Sequence, residues 1–105
     1  MEHRIAGADA NLYLAVASVL GAAARGLRER TDPGPPVAGN GYEQSAARVL
    51  PSTWREALDA AASSAFLRDT LGEEFMKIFL AIKNQECARF SAEVSELDYA
   101  WYLRT

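Results

Sequence analysis

The chain is poor in the residues that build disulfides and zinc sites, with Cys87 and His3 as its only cysteine and histidine among 105 residues. A single cysteine excludes an internal disulfide framework and favours a reducing compartment. One cysteine and one histidine cannot together supply a Cys/His zinc site. The chain also lacks a Lys/Arg-rich tract, and its net charge is −3. That charge argues against nucleic acid or an anionic membrane surface as the main partner.

Long hydrophobic runs are also missing. Asp9 and Asn11 interrupt the first residues before any apolar run, so no secretory signal peptide is evident and we expect a cytoplasmic protein. The longest uncharged stretch, 10–24, is shorter than the roughly 20 apolar residues that a membrane helix needs, and Ser18 and Gly21 dilute it further. We therefore expect no membrane span.

The uncharged stretch predicts a first helix over about 9–28. Its apolar residues recur at helical spacing: Leu12, Val16, Val19, Leu20, Ala23 and Leu27. The other face carries alanines rather than charges, and a helix that is apolar on nearly every side is normally buried. We therefore predict a buried central helix. Because about 75 other residues cannot cover it fully, we also expect the chain to expose a large apolar patch and to self-associate.

The remaining sequence predicts three further helices after a long loop. All four prolines lie in 31–51, which predicts a loop that contains Tyr42, either packed against the body or presented to a partner. Helices are predicted over about 53–63, 71–93 and 96–103. Asp9 or Asn11 can cap the first helix, and each later helix follows a capping-box pattern: Thr53 with Glu56, Thr70 with Glu73, and Ser95 with Asp98.

No strand is predicted, because period-2 alternation of apolar and polar residues is not sustained anywhere. The fold class is therefore all-α, with four helices and one long Pro/Gly loop. The third predicted helix places one group of large apolar residues on one side: Phe75, Ile78, Phe79, Ile82 and Phe90. Cys87 lies within that helix and is interpreted as a small core residue rather than a nucleophile.

Only the opening tripeptide, Glu2-His3-Arg4, offers a constellation for chemistry. If these residues are extended, Glu2 and Arg4 share one face and His3 points to the other. One interpretation is a surface ion pair that contributes about 0–1 kcal/mol. The other is functional: Glu2 would hold a divalent cation, and Arg4 would grip a carboxylate or phosphate with its bidentate fork.

The same residues carry a family resemblance. The opening Glu-His-Arg-Ile-Ala-Gly-Ala-Asp-Ala-Asn-x-Tyr-Leu, followed by the apolar helix, resembles the C-terminal part of a glutamine synthetase, in particular the gamma-glutamylputrescine synthetase-like branch. The resemblance continues through most of the chain, in segments 32–36, 39–43, 50–58, 71–75 and 99–103. One departure is Leu12, which stands where the family usually has proline.

The resemblance implies an ATP-dependent ligase that joins glutamate to an amine or ammonia and uses Mg or Mn. It implies that Glu2 helps to bind the metal and that Arg4 is the catalytic residue that stabilises the γ-carboxyl as it becomes a γ-phosphoryl group. In the family, the other metal ligands and the ATP pocket lie upstream, and active sites form between neighbouring subunits. We therefore expect this chain alone to bind no cofactor and to be inactive. Tyr42 lies near a tyrosine that is adenylylated in some members, but its different surroundings do not predict that modification here.

Two other functions remain open. The chain could be a stand-alone helical interaction module that self-associates or docks on a full-length synthetase through its loop and first helix. It could also be an independent enzyme that uses Glu2, His3 and Arg4. That third possibility is disfavoured because one edge supplies too few anchors for a nucleotide and the sequence contains no G-x-x-x-x-G-K-[ST] phosphate loop.

Overall fold

The structure is a computed structural model that describes residues 5–36, 38–40 and 49–103. Across these ranges the chain forms five helices and no strand: α1 Leu12–Glu29, α2 Trp54–Ser63, α3 Ala65–Leu71, α4 Glu73–Ala92 and α5 Glu96–Tyr102. The predicted all-α class is confirmed. The parts of the predicted loop that are described, 31–36, 38–40 and 49–51, contain no helix. Tyr42 lies outside the described residues. Among the described helices, none has the length and apolar character required to cross a bilayer.

Local capping chemistry fixes both ends of α1. Of the two predicted caps, Asn11 is the one used: its Oδ1 accepts hydrogen bonds from the Tyr13 N–H at 3.0 Å and the Leu14 N–H at 3.2 Å. The helix therefore begins at Leu12 rather than near residue 9. At the other end, Arg30 adopts the left-handed conformation, with φ 51° and ψ 44°. The Thr31 N–H then reaches the Gly26 carbonyl at 3.0 Å, which closes a Schellman motif.

Two of the three predicted capping boxes form. The Glu56 N–H donates to Thr53 Oγ1 at 3.2 Å, and the Thr53 N–H donates back to Glu56 Oε2 at 3.3 Å. In the second box, the Asp98 N–H donates to Ser95 Oγ at 3.3 Å, and the Ser95 N–H donates to Asp98 Oδ2 at 2.9 Å. Each reciprocal pair satisfies amides that the first turn of a helix leaves without partners, so α2 and α5 begin where the sequence predicts.

The predicted box of Thr70 and Glu73 is wrong, and with it the prediction of four helices. Residues Ala65–Leu71 form a separate helix, α3, whose N-terminus is capped by Ser64 Oγ accepting from the Leu67 N–H at 3.2 Å. Thr70 belongs to the last turn of α3. Gly72, with φ 93° and ψ 142°, ends α3 and precedes α4, which has no side-chain cap. Glycine adopts this positive φ without the steric penalty of a Cβ, so the chain changes direction there.

Three pairs of helices pack together: α1 on α3, α3 on α4, and α2 on α4. Among the described residues, the buried apolar side chains are Leu58 of α2 and Met76 and Cys87 of α4. The prediction that Cys87 is a core residue is confirmed. The predicted apolar side of α4 is largely open instead, since Ile78 is 60% exposed and Phe90 is 73% exposed. Among the described residues, the core therefore consists of a few side chains of α2 and α4.

α1 is not a buried central helix in this chain, because none of its residues is buried and Leu27, for example, is 81% exposed. The prediction of burial is wrong for the chain by itself. The companion prediction, that a chain this short leaves apolar surface uncovered, is confirmed. The accessible surface is 9464 Å², whereas a compact monomer of this mass exposes about 5,800 Å². The radius of gyration is 17.8 Å, against about 13 Å for a compact domain of this length.

Candidate functional site

The site residues predicted from the sequence, Glu2 and Arg4, lie outside the described residues together with His3. The proposed metal role of Glu2 and catalytic role of Arg4 therefore stay predictions. The structure does describe the segment that joins them to α1, beginning at Ile5, whose side chain is 63% exposed.

A tight turn connects this segment to α1. The Ala10 N–H donates to the Gly7 carbonyl at 3.1 Å, and Asn11 then caps the helix. A Cβ placed on Gly7 would lie 2.7 Å from Asp9 Oδ1, so a larger residue at position 7 would require the Asp9 side chain to rotate away. The turn and the cap together fix the path of the backbone from Gly7 to the N-terminus of α1.

An apolar cavity of about 690 Å³ adjoins this point, between the N-terminal half of α1 and helices α3 and α4. Its apolar lining includes Leu14, Ala15, Leu67, Leu71, Phe75 and Phe79. The rings of Phe75 and Phe79 stack with centroids 5.9 Å apart and planes 18° from parallel. Asp9 and Lys83 are the charged residues of the lining, and Lys83 Nζ is held 2.6 Å from Glu86 Oε2. This lining is therefore suited to contact with apolar groups rather than to acid–base chemistry.

The C-terminal end of α1 forms a second, smaller cavity of about 270 Å³ with α3. Arg25 is central to it: its Nε lies 2.8 Å from Glu29 Oε1, and its guanidinium carbon lies 6.0 Å from the centre of the Phe66 ring. Arg25 therefore does more than provide a solvated charge at the end of a helix, because it connects α1 to the ring of α3. The i, i+4 spacing of Arg25 and Glu29 signals the ion pair in the sequence, but nothing there signals the ring contact.

Among the described residues, the two carboxylates with shifted pKa values, Glu56 and Asp98, are helix caps. The backbone and side chain of Ser52 and the backbone of Thr53 donate hydrogen bonds to Glu56 and lower its pKa. The side chain and backbone of Ser95 lower the pKa of Asp98 in the same way. Both groups are exposed and stabilise the starts of helices. Within the described ranges, no three His, Cys, Asp or Glu side chains cluster in a way that could hold a metal ion.

Comparison with known proteins gives a consistent pattern. The family model described as "Glutamine synthetase, catalytic domain" matches residues 1–102. The chain is 35% identical over 104 residues to a gamma-glutamylputrescine synthetase of Escherichia coli strain K12, covering 99% of this chain and 22% of that protein. It is 34% identical over 110 residues to a glutamate–methylamine ligase of Methyloversatilis universalis, covering 98% and 25%. It is 33% identical over 103 residues to a gamma-glutamylethanolamide synthetase of Streptomyces coelicolor, covering 98% and 21%. The chain thus spans about a fifth to a quarter of the length of these relatives.

Proposed function

Because the chain belongs to the glutamine synthetase catalytic-domain family, we propose that it forms one edge of an ATP-dependent ligase site that joins glutamate to an amine or ammonia. We propose further that it corresponds to the C-terminal part of such a ligase, is inactive alone, and is cytoplasmic. The observation that carries the proposal is the extent of the match. It covers nearly the whole of this chain, including Glu2 and Arg4, but only 22% of the Escherichia coli relative.

Arg4 would bind the substrate γ-carboxylate through its two parallel N–H donors. As that carboxyl is phosphorylated, negative charge grows on its oxygens, and a fixed guanidinium neutralises it without reorganisation. The amine nitrogen then attacks the acyl carbon, the bond from that carbon to the phosphate oxygen breaks, and the nitrogen loses a proton. Glu2 would supply an oxygen ligand to Mg²⁺ or Mn²⁺, which when bound neutralises charge on the ATP phosphates.

The described residues support the expectation that this edge does not work alone. Within the described ranges no group of metal ligands is present, and the cavity beside the N-terminus of α1 is lined mainly by apolar side chains. We therefore expect calorimetry of the isolated chain with Mn²⁺ and ATP to show no tight binding. Binding with a micromolar dissociation constant would instead support an independent enzyme.

A segment exchange tests the ligase role. The aligned segment of the Escherichia coli gamma-glutamylputrescine synthetase is replaced by this chain, and putrescine-dependent phosphate release from ATP is measured. We expect the chimera to be active, with Glu2→Gln and Arg4→Lys each lowering kcat by at least about a hundredfold. Glu2→Gln removes a charged metal ligand, and Arg4→Lys removes the two parallel N–H donors. His3→Gln is the matched control, because in an extended segment the side chain of His3 would point away from those of Glu2 and Arg4. An assembled, active chimera that tolerates both Glu2→Gln and Arg4→Lys would refute the site assignment.

The exposed apolar faces favour a second candidate function, a helical module that docks on a full-length synthetase. Leu12, Leu20 and Leu27 of α1 are all more than half exposed, as an unoccupied contact surface would be. Sedimentation of this chain mixed with the full-length relative measures such docking directly. Co-sedimentation without any gain in ligase activity would support the module, whereas activity restored to a relative lacking the aligned segment would support the ligase edge.

A further inference from the structure

We draw no further inference here: the strongest candidate, the apolar cavity of about 690 Å³ between α1, α3 and α4, is an unpartnered apolar surface of a chain that spans about a fifth to a quarter of the length of its relatives, and nothing in the structure shows what covers it.

Discussion

Gly21 of α1 and Thr70 of α3 touch so closely that no side chain fits between the two helices. A Cβ added to Gly21 would collide with Thr70 Cγ2 and would lie 3.1 Å from Thr70 Oγ1. Thr70 is β-branched, and in a helix its side chain is limited to two χ1 rotamers, so it has little freedom to move away. This contact sets how near α1 lies to α3.

We therefore expect Gly21→Ala to lower the free energy of unfolding by about 1–3 kcal/mol, the usual cost of overpacking. Gly26→Ala is the control, because a Cβ there has no atom within 4 Å and the residue lies in the same helix. That change should raise stability by about 0.5–1 kcal/mol through helix propensity. Urea denaturation followed by circular dichroism measures both. The double variant Gly21→Ala with Thr70→Ser, which removes the colliding methyl group, should recover part of the loss.

The left-handed backbone of Arg30 provides a second test. Arginine adopts φ 51° only at a steric cost that glycine does not have. Arg30→Gly should raise the free energy of unfolding by about 1 kcal/mol, because the Schellman hydrogen bonds stay and the strain is removed. Arg28→Gly, inside the last turn of the helix, should lower it by about 0.5–1 kcal/mol. If Arg30→Gly also lowered stability, the side chain of Arg30 would have to make a stabilising contact of its own.

The helix caps predict a dependence of stability on pH. Glu56 has a pKa below its ordinary value of 4.5 because Ser52 and Thr53 donate to its charged form. A carboxyl with a lowered folded-state pKa contributes its stabilisation fully above the unfolded-state pKa. The contribution disappears as the pH falls through the folded-state pKa. Helicity should therefore fall as the pH drops from the unfolded-state pKa of Glu56 through its lower folded-state pKa. Glu56→Gln should make this fall smaller, because glutamine does not titrate.

Ser52→Ala should weaken the Glu56 cap only in part. It removes the 3.0 Å hydrogen bond that Ser52 Oγ donates to Glu56 Oε2, but it keeps the backbone donors. Its pH profile should lie between those of the wild-type chain and Glu56→Gln. Asp98→Asn makes the equivalent test at α5, where Ser95 lowers the pKa of Asp98 from its ordinary 3.8. Thermal unfolding at a series of pH values measures all three. Identical profiles for Glu56→Gln and wild type would show that the cap has no influence on stability.

The two faces of α4 should respond differently to truncation. Met76 is 2% exposed, so Met76→Ala should cost about 2–5 kcal/mol of unfolding free energy, the usual cost of removing a buried side chain. Ile82 is 50% exposed, so Ile82→Ala should lower the free energy of unfolding by far less. Chemical denaturation of the two variants gives the comparison. A larger loss for Ile82→Ala would indicate that a second copy or another surface covers that face in solution.

The features predicted correctly from the sequence are mainly local. The caps at Asn11, Thr53 and Ser95 depend on residues two to four positions away, so the residue types alone identify them. The failure at Thr70 has a physical explanation. A glycine after an apolar turn is a signal that ends a helix, and Gly72 provides this signal inside the predicted capping box of Thr70 and Glu73. The positive φ of Gly72 shows that the ending signal dominates.

Burial was harder to predict, because it depends on which surfaces meet. The sequence places Phe75 and Ile78 on one apolar side of α4, but the buried residues of that helix are Met76 and Cys87. Similarly, the apolar character of α1 is evident from the sequence. Its exposure depends on the tertiary structure, in which α1 packs on α3. The candidate site residues Glu2 and Arg4 were identified through the family resemblance of the opening motif. Their neighbours at Gly7 and Asn11 form the turn and the cap that lead from this motif into α1.

Because Cys87 is a buried free thiol, its rate of chemical modification can report how often the structure around it opens. Its thiol sits in the core between α2 and α4, so a thiol reagent can modify it only when those helices separate. The rate of modification under native conditions therefore measures how often the α2–α4 pair opens. The same reaction, followed by mass spectrometry in the variants above, would separate local opening from global unfolding.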